Sequence, residues 1–534
     1  IVGYRPLVEK NVTSGVSLVT SEELENIPVR GFNDIVATQK SVVVQDNTVY
    51  IRGGRADEVG YYIDGASSIN PLTNTQSIYV IREAVEEFQV LAGGFTAEFG
   101  GANAGIIRTE LRTGGSDFSV SADFQTDKFA DEGEQILGTN SFRHHNLILT
   151  ASGPLMSNKV RFFAAVENAF QGDRAVRFGD GFSLTNLTDQ NPSAVGTPET
   201  IDEYTYPDGF TPNREEDQWA VQSTLLFDLS PVQFRVSGSW SDRTRQFNSV
   251  FFNNQGGSSP NTPVLNQLND RTFDDTFENL LLSGKMTYVL NPTSLLEASF
   301  NYFSSTLDRE DSYFGNDWTQ WWDSTAVSNA TGGDVTYASR YRAQPNYLFN
   351  GIYFARDGAP TGTYRVQKQN YLGGSFNFLT QAGRHHELKI GGDVRLYTLR
   401  RFAISARAIS QLGQDQTANG DIRNLDPQQW VRGSGVNNYG YDIFGNEVDS
   451  DAFEGDFQTA QAPQEPVFGA FYLQDKIEYN DLIINAGLRL DYFDTKSRSL
   501  IDAQNPAVNL ADRIFDEDAA WQEKDPAVQL SPRL

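Results

Sequence analysis

Long stretches of the chain alternate apolar and polar residues with a period of two. In LEASFNYF, residues 296–303, Leu296, Ala298, Phe300 and Tyr302 fall on one face, and Glu297, Ser299 and Asn301 on the other. VQFRVSGSWS, residues 232–241, sets Val232, Phe234, Val236, Gly238 and Trp240 against Gln233, Arg235, Ser237, Ser239 and Ser241. Residues 484–492 oppose Ile484, Ala486, Leu488, Leu490 and Tyr492 to Asn485, Gly487, Arg489 and Asp491. Successive strand residues point to opposite faces, so each segment predicts a strand with one apolar face. About ten residues is longer than a usual soluble strand, and a tilted strand of that length crosses a bilayer.

Eleven such segments are predicted, near 118–126, 143–152, 159–170, 217–228, 231–245, 278–290, 293–307, 366–379, 384–399, 466–479 and 481–494, with a twelfth beginning near 526. Their connections alternate strictly. Those at 152–158, 229–231, 291–292, 380–383 and 480 are short; those near 127–142, 171–216, 246–277, 308–365, 400–465 and 495–525 are long. Outer-membrane barrels sort loops this way, with tight periplasmic turns and long extracellular loops. The register predicts Leu296, Ala298, Phe300 and Tyr302 facing lipid, with Leu296 near mid-membrane, and Glu297, Ser299 and Asn301 facing the lumen. Trp240, Tyr288, Tyr302, Phe303, Tyr397, Tyr479, Tyr492 and Phe493 fall at or near strand ends, where interfacial aromatic girdles are expected.

Residues 1–114 have a different texture. Thr20 with Glu23 forms a capping-box pattern that opens a short helix, which Pro28 ends. A second helix is predicted over 33–39, and strands over 42–44, 48–51, 59–63, 87–91 and 106–111, with a helix or turn near 82–87. The expected fold is a small α+β domain, 1–114, followed by an antiparallel transmembrane β-barrel segment, 115–534.

Composition narrows the function classes. The 534 residues hold 69 acidic and 42 Lys or Arg side chains, a net charge of −27 with no basic cluster, so a nucleic-acid partner is not expected. No cysteine is present, which removes disulfides, thiolate metal sites and cysteine nucleophiles. No apolar run reaches about 18 residues, the signature of a membrane helix. The mean hydropathy of −0.44 does not argue against a barrel, where only alternate residues meet lipid. The chain opens at Ile1 without a signal segment, as a mature or trimmed form would. No catalytic triad ordering, Walker motif or metal-ligand array stands out, so an enzyme is not expected.

The motifs in order resemble those of the TonB-dependent outer-membrane receptors. The resemblance rests on Ile51-Arg52-Gly53-Gly54, then Tyr62-Ile63-Asp64-Gly65, then the run from Ala97 through Gly100 and Gly105 to Ile107, and Thr113-Gly114-Gly115. Upstream, SLVTSEELENIPVRGFNDIV is similar to the family's first plug helices, and Gly487-Leu488-Arg489-Leu490-Asp491 and Tyr472-Leu473-Gln474-Asp475 resemble its barrel-strand signatures. The resemblance implies a plug domain inside a barrel of 22 strands, located in the bacterial outer membrane. Eleven strands being half of that number, the sequence is expected to be part of a longer chain and to form an open half-barrel around its plug.

It further implies energy-coupled import, with a TonB-type protein as partner alongside outer-membrane lipids. The long loops lean toward a bulky nutrient such as an oligosaccharide or peptide, with a surface lipoprotein as a further partner; a siderophore or cobalamin-like ligand is the other import reading. The alternative of another class is a non-transporting outer-membrane scaffold that binds proteins. Ile1-Val2-Gly3-Tyr4 resembles the end of a TonB box, the segment captured by strand addition.

Within the plug motif, Arg52 and Asp64 either pair with plug or barrel charges or satisfy local backbone groups. Gly53, Gly54 and Gly65 suit tight turns. Trp318, Trp321 and Trp322 in WTQWWD either offer an aromatic platform to a ligand or pack a long loop onto itself. Asp449, Asp451 and Glu454 in DSDAFEGD form a candidate Ca²⁺ loop, against the reading of a solvated acidic loop; no other cofactor is expected. The pairs His144-His145 and His385-His386 point to opposite strand faces, so neither makes a two-ligand site.

Overall fold

The computed structural model describes residues 15–533 apart from internal stretches, chiefly 174–177, 192–198, 248–263, 266–270, 342–345, 415–421, 431–434, 502–507, 510–513 and 516–520. In the N-terminal domain, Thr20 N–H donates to the Glu23 carboxylate at 3.1 Å and opens the helix Ser21–Asn26. The second helix, Phe32–Ala37, stops two residues earlier than its sequence pattern suggests. There the Thr38 hydroxyl donates back to the Ile35 carbonyl at 2.7 Å, a local bond that competes with helix continuation.

Five strands form the plug sheet. Val85–Leu91 lies between Val16–Thr20 and Gly105–Leu111, both antiparallel to it; Val59–Ile63 then joins Gly105–Leu111 in parallel and Ala66–Ser67 antiparallel. Val42–Gln45 and Thr48–Ile51 make a separate hairpin. Ile35, Val36, Ile51, Ile81, Val85 and Phe88 are fully enclosed between these elements.

The barrel wall is one antiparallel sheet. Its strands are Ser119–Thr126, His145–Ser157, Val160–Gln171, Glu216–Leu229, Val232–Phe247, Phe273–Asn291, Ser294–Asp311, Thr363–Ala382, His386–Ser405, Val467–Tyr479, Leu482–Asp494 and Ala527–Arg533, each paired with the next in sequence. All twelve segments read from alternation are present. Among the described residues no pairing joins the first of these strands to the last. Short connections follow Leu229, Asn291 and Ala382, and long ones lie at the opposite end; the turn at 480 lies outside the described residues.

Four strands are longer than the alternation showed: Phe273–Asn291, Ser294–Asp311, Thr363–Ala382 and His386–Ser405 run 19, 18, 20 and 20 residues. The added residues lie mostly at the extracellular ends. Beyond the bilayer the outer face no longer needs apolar residues, so the hydrophobic pattern fades while the hydrogen-bond ladder continues.

The register matches the sequence reading. Phe300 is 61% exposed on the outer face, with Leu282, Leu372, Leu396, Phe471 and Leu488 likewise exposed, whereas Ser283, Asn301 and Gln369 are buried. A contiguous apolar exterior of this kind is a lipid-facing surface. Two positional expectations are corrected. Leu296 is the third residue of its strand, beside the short turn, so it sits near the periplasmic boundary rather than mid-membrane. Phe303 and Tyr397 are not girdle residues: they are 0% and 5% exposed and pack in the core shared by plug and wall. Phe493 also turns inward, stacking on Phe468 at 4.3 Å. Strand-end position alone does not distinguish the faces; parity with buried Asn301 and Arg489 does.

Loop residues build a second core against the long-loop ends of two wall strands, which contribute Tyr364 and Phe402. Trp318, Trp321, Trp430, Phe402, Tyr364 and Ile409 enclose one another there. Beneath it Arg271 donates to Asp311 at 2.7 Å, both side chains 1% exposed, and Arg271 also donates to the carbonyls of Trp321 and Gly358.

Candidate functional site

The plug motif residues converge where the plug meets the wall. The tight turn after Ile63 forces positive φ at Asp64 (49°) and Gly65 (85°), a region costly for most side chains. It turns the Asp64 carboxylate into the interface. Arg235, from the polar face of a wall strand, donates to Asp64 Oδ1 at 2.8 Å and to the Leu111 carbonyl at 2.5 Å, while Leu111 N–H donates to the same Oδ1 at 3.0 Å. Glu110 stands 3.7 Å from the Arg235 guanidinium. Burial pushes the Asp64 carboxyl up to about 6, against the opposing pull of Arg235.

Arg52 does not reach the wall. It lies at φ 53° and donates through Nη1 to the Ala92 carbonyl at 2.9 Å, inside the plug. Gly53 (φ 72°) completes that turn, whereas Gly54 and Gly105 lie close against Ala104 and Ile51. Gly100 serves the interface itself: a Cβ there would stand 2.5 Å from Arg489 Nε. Its absence lets Arg489 reach the carbonyls of Ala97 and Glu98 at 3.2 and 2.8 Å. Lys389 adds an ion pair to Glu98 at 2.6 Å, and Gln474 accepts from Ala97 N–H at 3.2 Å.

Further polar contacts ring the plug. Gln222 accepts from Ile81 N–H at 2.9 Å and donates to the Tyr79 carbonyl at 3.0 Å. Tyr371 donates to the Ser67 carbonyl at 2.6 Å, and Thr224 to that of Arg112 at 2.5 Å. Apolar packing joins them through Ile148, Phe163, Leu281, Phe303 and Tyr371, continuous with the plug core. The pairing left open above is thus resolved differently for the two residues: Asp64 pairs with the wall, and Arg52 bonds a plug backbone carbonyl 40 positions away. Arg235, Gln222, Lys389 and Arg489 were not singled out from the sequence. Their signal was a charge or amide within a strand, on its polar face.

Two spaces flank this contact. One, of about 110 Å³, lies between Tyr62, Arg108 and the wall residues Lys285, Glu297, Asn377 and Asp393. The other, of about 860 Å³, lies on the long-loop side, between plug residues 75–80 and the wall side chains of Gln218, Arg243, Arg245 and Asn279.

The remaining sequence candidates are placed elsewhere. Trp318 and Trp321 are 5% and 0% exposed within the loop core, with the Trp318 ring tilted against those of Trp430 and Phe402 at 5.8 and 5.7 Å. They offer no open platform, because the loop folds over its own aromatic rings. Trp322 is partly covered and packs on Tyr337, ring centroids 5.9 Å apart. The Ca²⁺ candidates are dispersed: Asp449 pairs with Arg400, Asp451 accepts from Ala462 N–H at 2.7 Å, and Glu454 is exposed. No cluster of three metal-ligating side chains occurs among the described residues; Asp456 and the segment Ile1, Val2, Gly3 and Tyr4 lie outside them. No helix among the described residues is long and apolar enough to cross a membrane.

Comparison with known proteins agrees with this architecture. Residues 8–106 match the family model described as TonB-dependent Receptor Plug Domain. The TonB-dependent transporter Oar of Myxococcus xanthus is 26% identical over 190 residues, covering 32% of this chain and 18% of that protein. Among solved structures, the outer membrane transporter YddB from Escherichia coli is similar with a TM-score of 0.53 at 11% identity, over 91% of this chain and 58% of that one. P. aeruginosa FpvA, solved bound to heterologous pyoverdines, gives a TM-score of 0.51 at 12% identity, over 91% of this chain and 52% of its own. The chain spans less than two thirds of the length of these relatives.

Residues 8–106 thus match a TonB-dependent receptor plug, and the chain as a whole shares the plug-and-barrel fold of the solved structures it resembles.

Proposed function

We propose that this chain is the plug-bearing part of an energy-coupled outer-membrane importer. A bulky nutrient enters from the long-loop side, rests above the plug, and passes when a TonB-type partner remodels the plug. The observation that carries the reading is the plug–wall contact. It joins plug to wall through a shared apolar core, yet much of it consists of separable polar bonds, Asp64–Arg235, Glu98–Lys389 and the Gln222 pair, beneath a cavity of about 860 Å³. Net contributions of about 1 kcal/mol per hydrogen bond hold a plug in place and still permit its rearrangement.

Peptides, oligosaccharides and siderophore-like ligands all fit a receptor of this kind. A surface lipoprotein partner belongs to the oligosaccharide and peptide readings.

None of the 534 residues is cysteine, so a clean test is possible once any cysteine elsewhere in the full-length protein is replaced by serine. Glu98→Cys and Lys389→Cys, joined by a short bis-maleimide in the full-length protein, should tie plug to wall. Cells would be given a labelled mixture of peptides and oligosaccharides. Energy-dependent uptake that stops on crosslinking is the expected result. Uptake that continues with the crosslink formed, or retention of ligand with no energy-dependent uptake in either state, would reject import; the latter is the outcome a scaffold gives.

A further inference from the structure

The wall beside the outer cavity, and continuing beyond it across neighbouring strands, carries charge in an ordered way. Two neighbouring cross-strand rows face the lumen at its long-loop end. One row reads Glu216, Arg245, Asp275, Arg309, Arg365 across five adjacent strands. The next row inward reads Gln218, Arg243, Phe277, Leu307, Gln367, Arg401. Residues opposite one another in register share a face. Arg243 and Arg245 line the cavity, which fixes that face as the lumen.

Five arginines thus stand among two carboxylates in a chain of net charge −27. Asp275 serves two of them, Arg309 through Nη2 at 2.8 Å and Arg245 at 3.3 Å. Arg243 lies over the Phe277 ring at 4.4 Å. Arg365 and Arg401 meet no carboxylate within ion-pair distance among the described residues, and the Nε atoms of Arg245, Arg365 and Arg401 are enclosed without a hydrogen-bond partner. Arg309 and Arg365 are directly opposite. Like charges in that position oppose strand pairing, so the empty arrangement carries a cost that a bound anion would relieve. The plug's Asp34 also borders the cavity and does not lie in either row.

We infer that the cargo of this receptor is a carboxylate-bearing oligomer, engaged along the arginine rows as it enters the lumen. The inference rests on the import reading for the word cargo, and on the rows alone for its chemistry. The guanidinium fork matches a carboxylate with two parallel bonds. The arginines lie on four strands within a run of five, a reach of about 19 Å at the spacing of neighbouring strands, which calls for several anionic groups rather than one. Low-dielectric walls around the mouth focus the positive field toward entering anions.

The test is equilibrium binding to the full-length protein in detergent, which needs no energy source. The probes are tetragalacturonate and tetraglutamate, with maltotetraose as the uncharged control. At least one charged probe should bind, more weakly at higher salt, and Arg365→Gln with Arg401→Gln should weaken it about tenfold or more. Arg365→Lys with Arg401→Lys should retain most of the affinity, which separates charge from folding. Which probe binds identifies the source of the carboxylates. No binding of either charged probe, equal binding of maltotetraose, or equal losses in the Gln and Lys variants would overturn the inference. Binding that follows the expected pattern without energy-dependent uptake would reject import and leave the anion site standing.

Discussion

A single carboxylate, Asp64, shows how far a motif residue can be read. Asp-Gly between two apolar strands announces a turn, and the structure has one, with positive φ at both residues. The sequence does not show that the same carboxylate meets Arg235, 171 positions away. Its burial has a consequence for pH. The folded plug holds the Asp64 proton more tightly than an unfolded chain would, because its pKa is raised from 3.8 to about 6. This group's contribution to stability is therefore fully present below about pH 4 and is lost as pH rises through about 6. Asp64→Asn should remove that dependence. The measurement is the urea midpoint of plug unfolding at about pH 4 and about pH 7, in wild type and variant. An unchanged difference between the two pH values in the variant would refute the assignment. Trp318 and Trp321 teach the complementary lesson: composition marked them, but whether they face ligand or loop depended on what folds against them.

At the scale of strands, the period-two pattern identified every wall strand and its lipid-facing side. It underestimated strand length where charges replace apolar residues, and it left depth in the membrane undefined. Phe300 lies six residues above the start of its strand, about 15 Å from the periplasmic boundary for a tilted strand and so near the bilayer midplane. Phe300→Arg should cost roughly 2–4 kcal/mol, and Leu296→Arg, near the boundary, about 0–1 kcal/mol. Equal costs in reversible unfolding from lipid vesicles would show the depth assignment to be wrong. The same reasoning removes Phe303 and Tyr397 from the lipid interface, since both share a face with buried lumen residues.

Over the whole molecule, plug and wall differ in how they are held. The wall is a continuous ladder of long strands, whereas the plug's attachment combines an apolar patch with side-chain hydrogen bonds. Regions held by fewer cooperative contacts open first. Ser68, 0% exposed in the plug, offers a reporter once changed to cysteine in this cysteine-free chain. Its labelling by a maleimide in urea should begin before the wall loses its sheet signal. Simultaneous onset would indicate that plug and wall unfold as one unit.

The sequence by itself determined the elements: which segments are strands, which face of each meets lipid, which loops are long, and where the turn motifs of the plug lie. These follow from local periodicity and backbone sterics, which neighbouring residues encode. Tertiary structure alone decided the partners. Arg235 finds Asp64, Arg489 reaches past Gly100 to the plug carbonyls, and five arginines from four strands align into two rows. Those relations depend on the stagger of strands far apart in sequence and on the seating of the plug against them. No local pattern carries that information, because a charge on a polar face looks the same whether it faces water, a plug or a ligand.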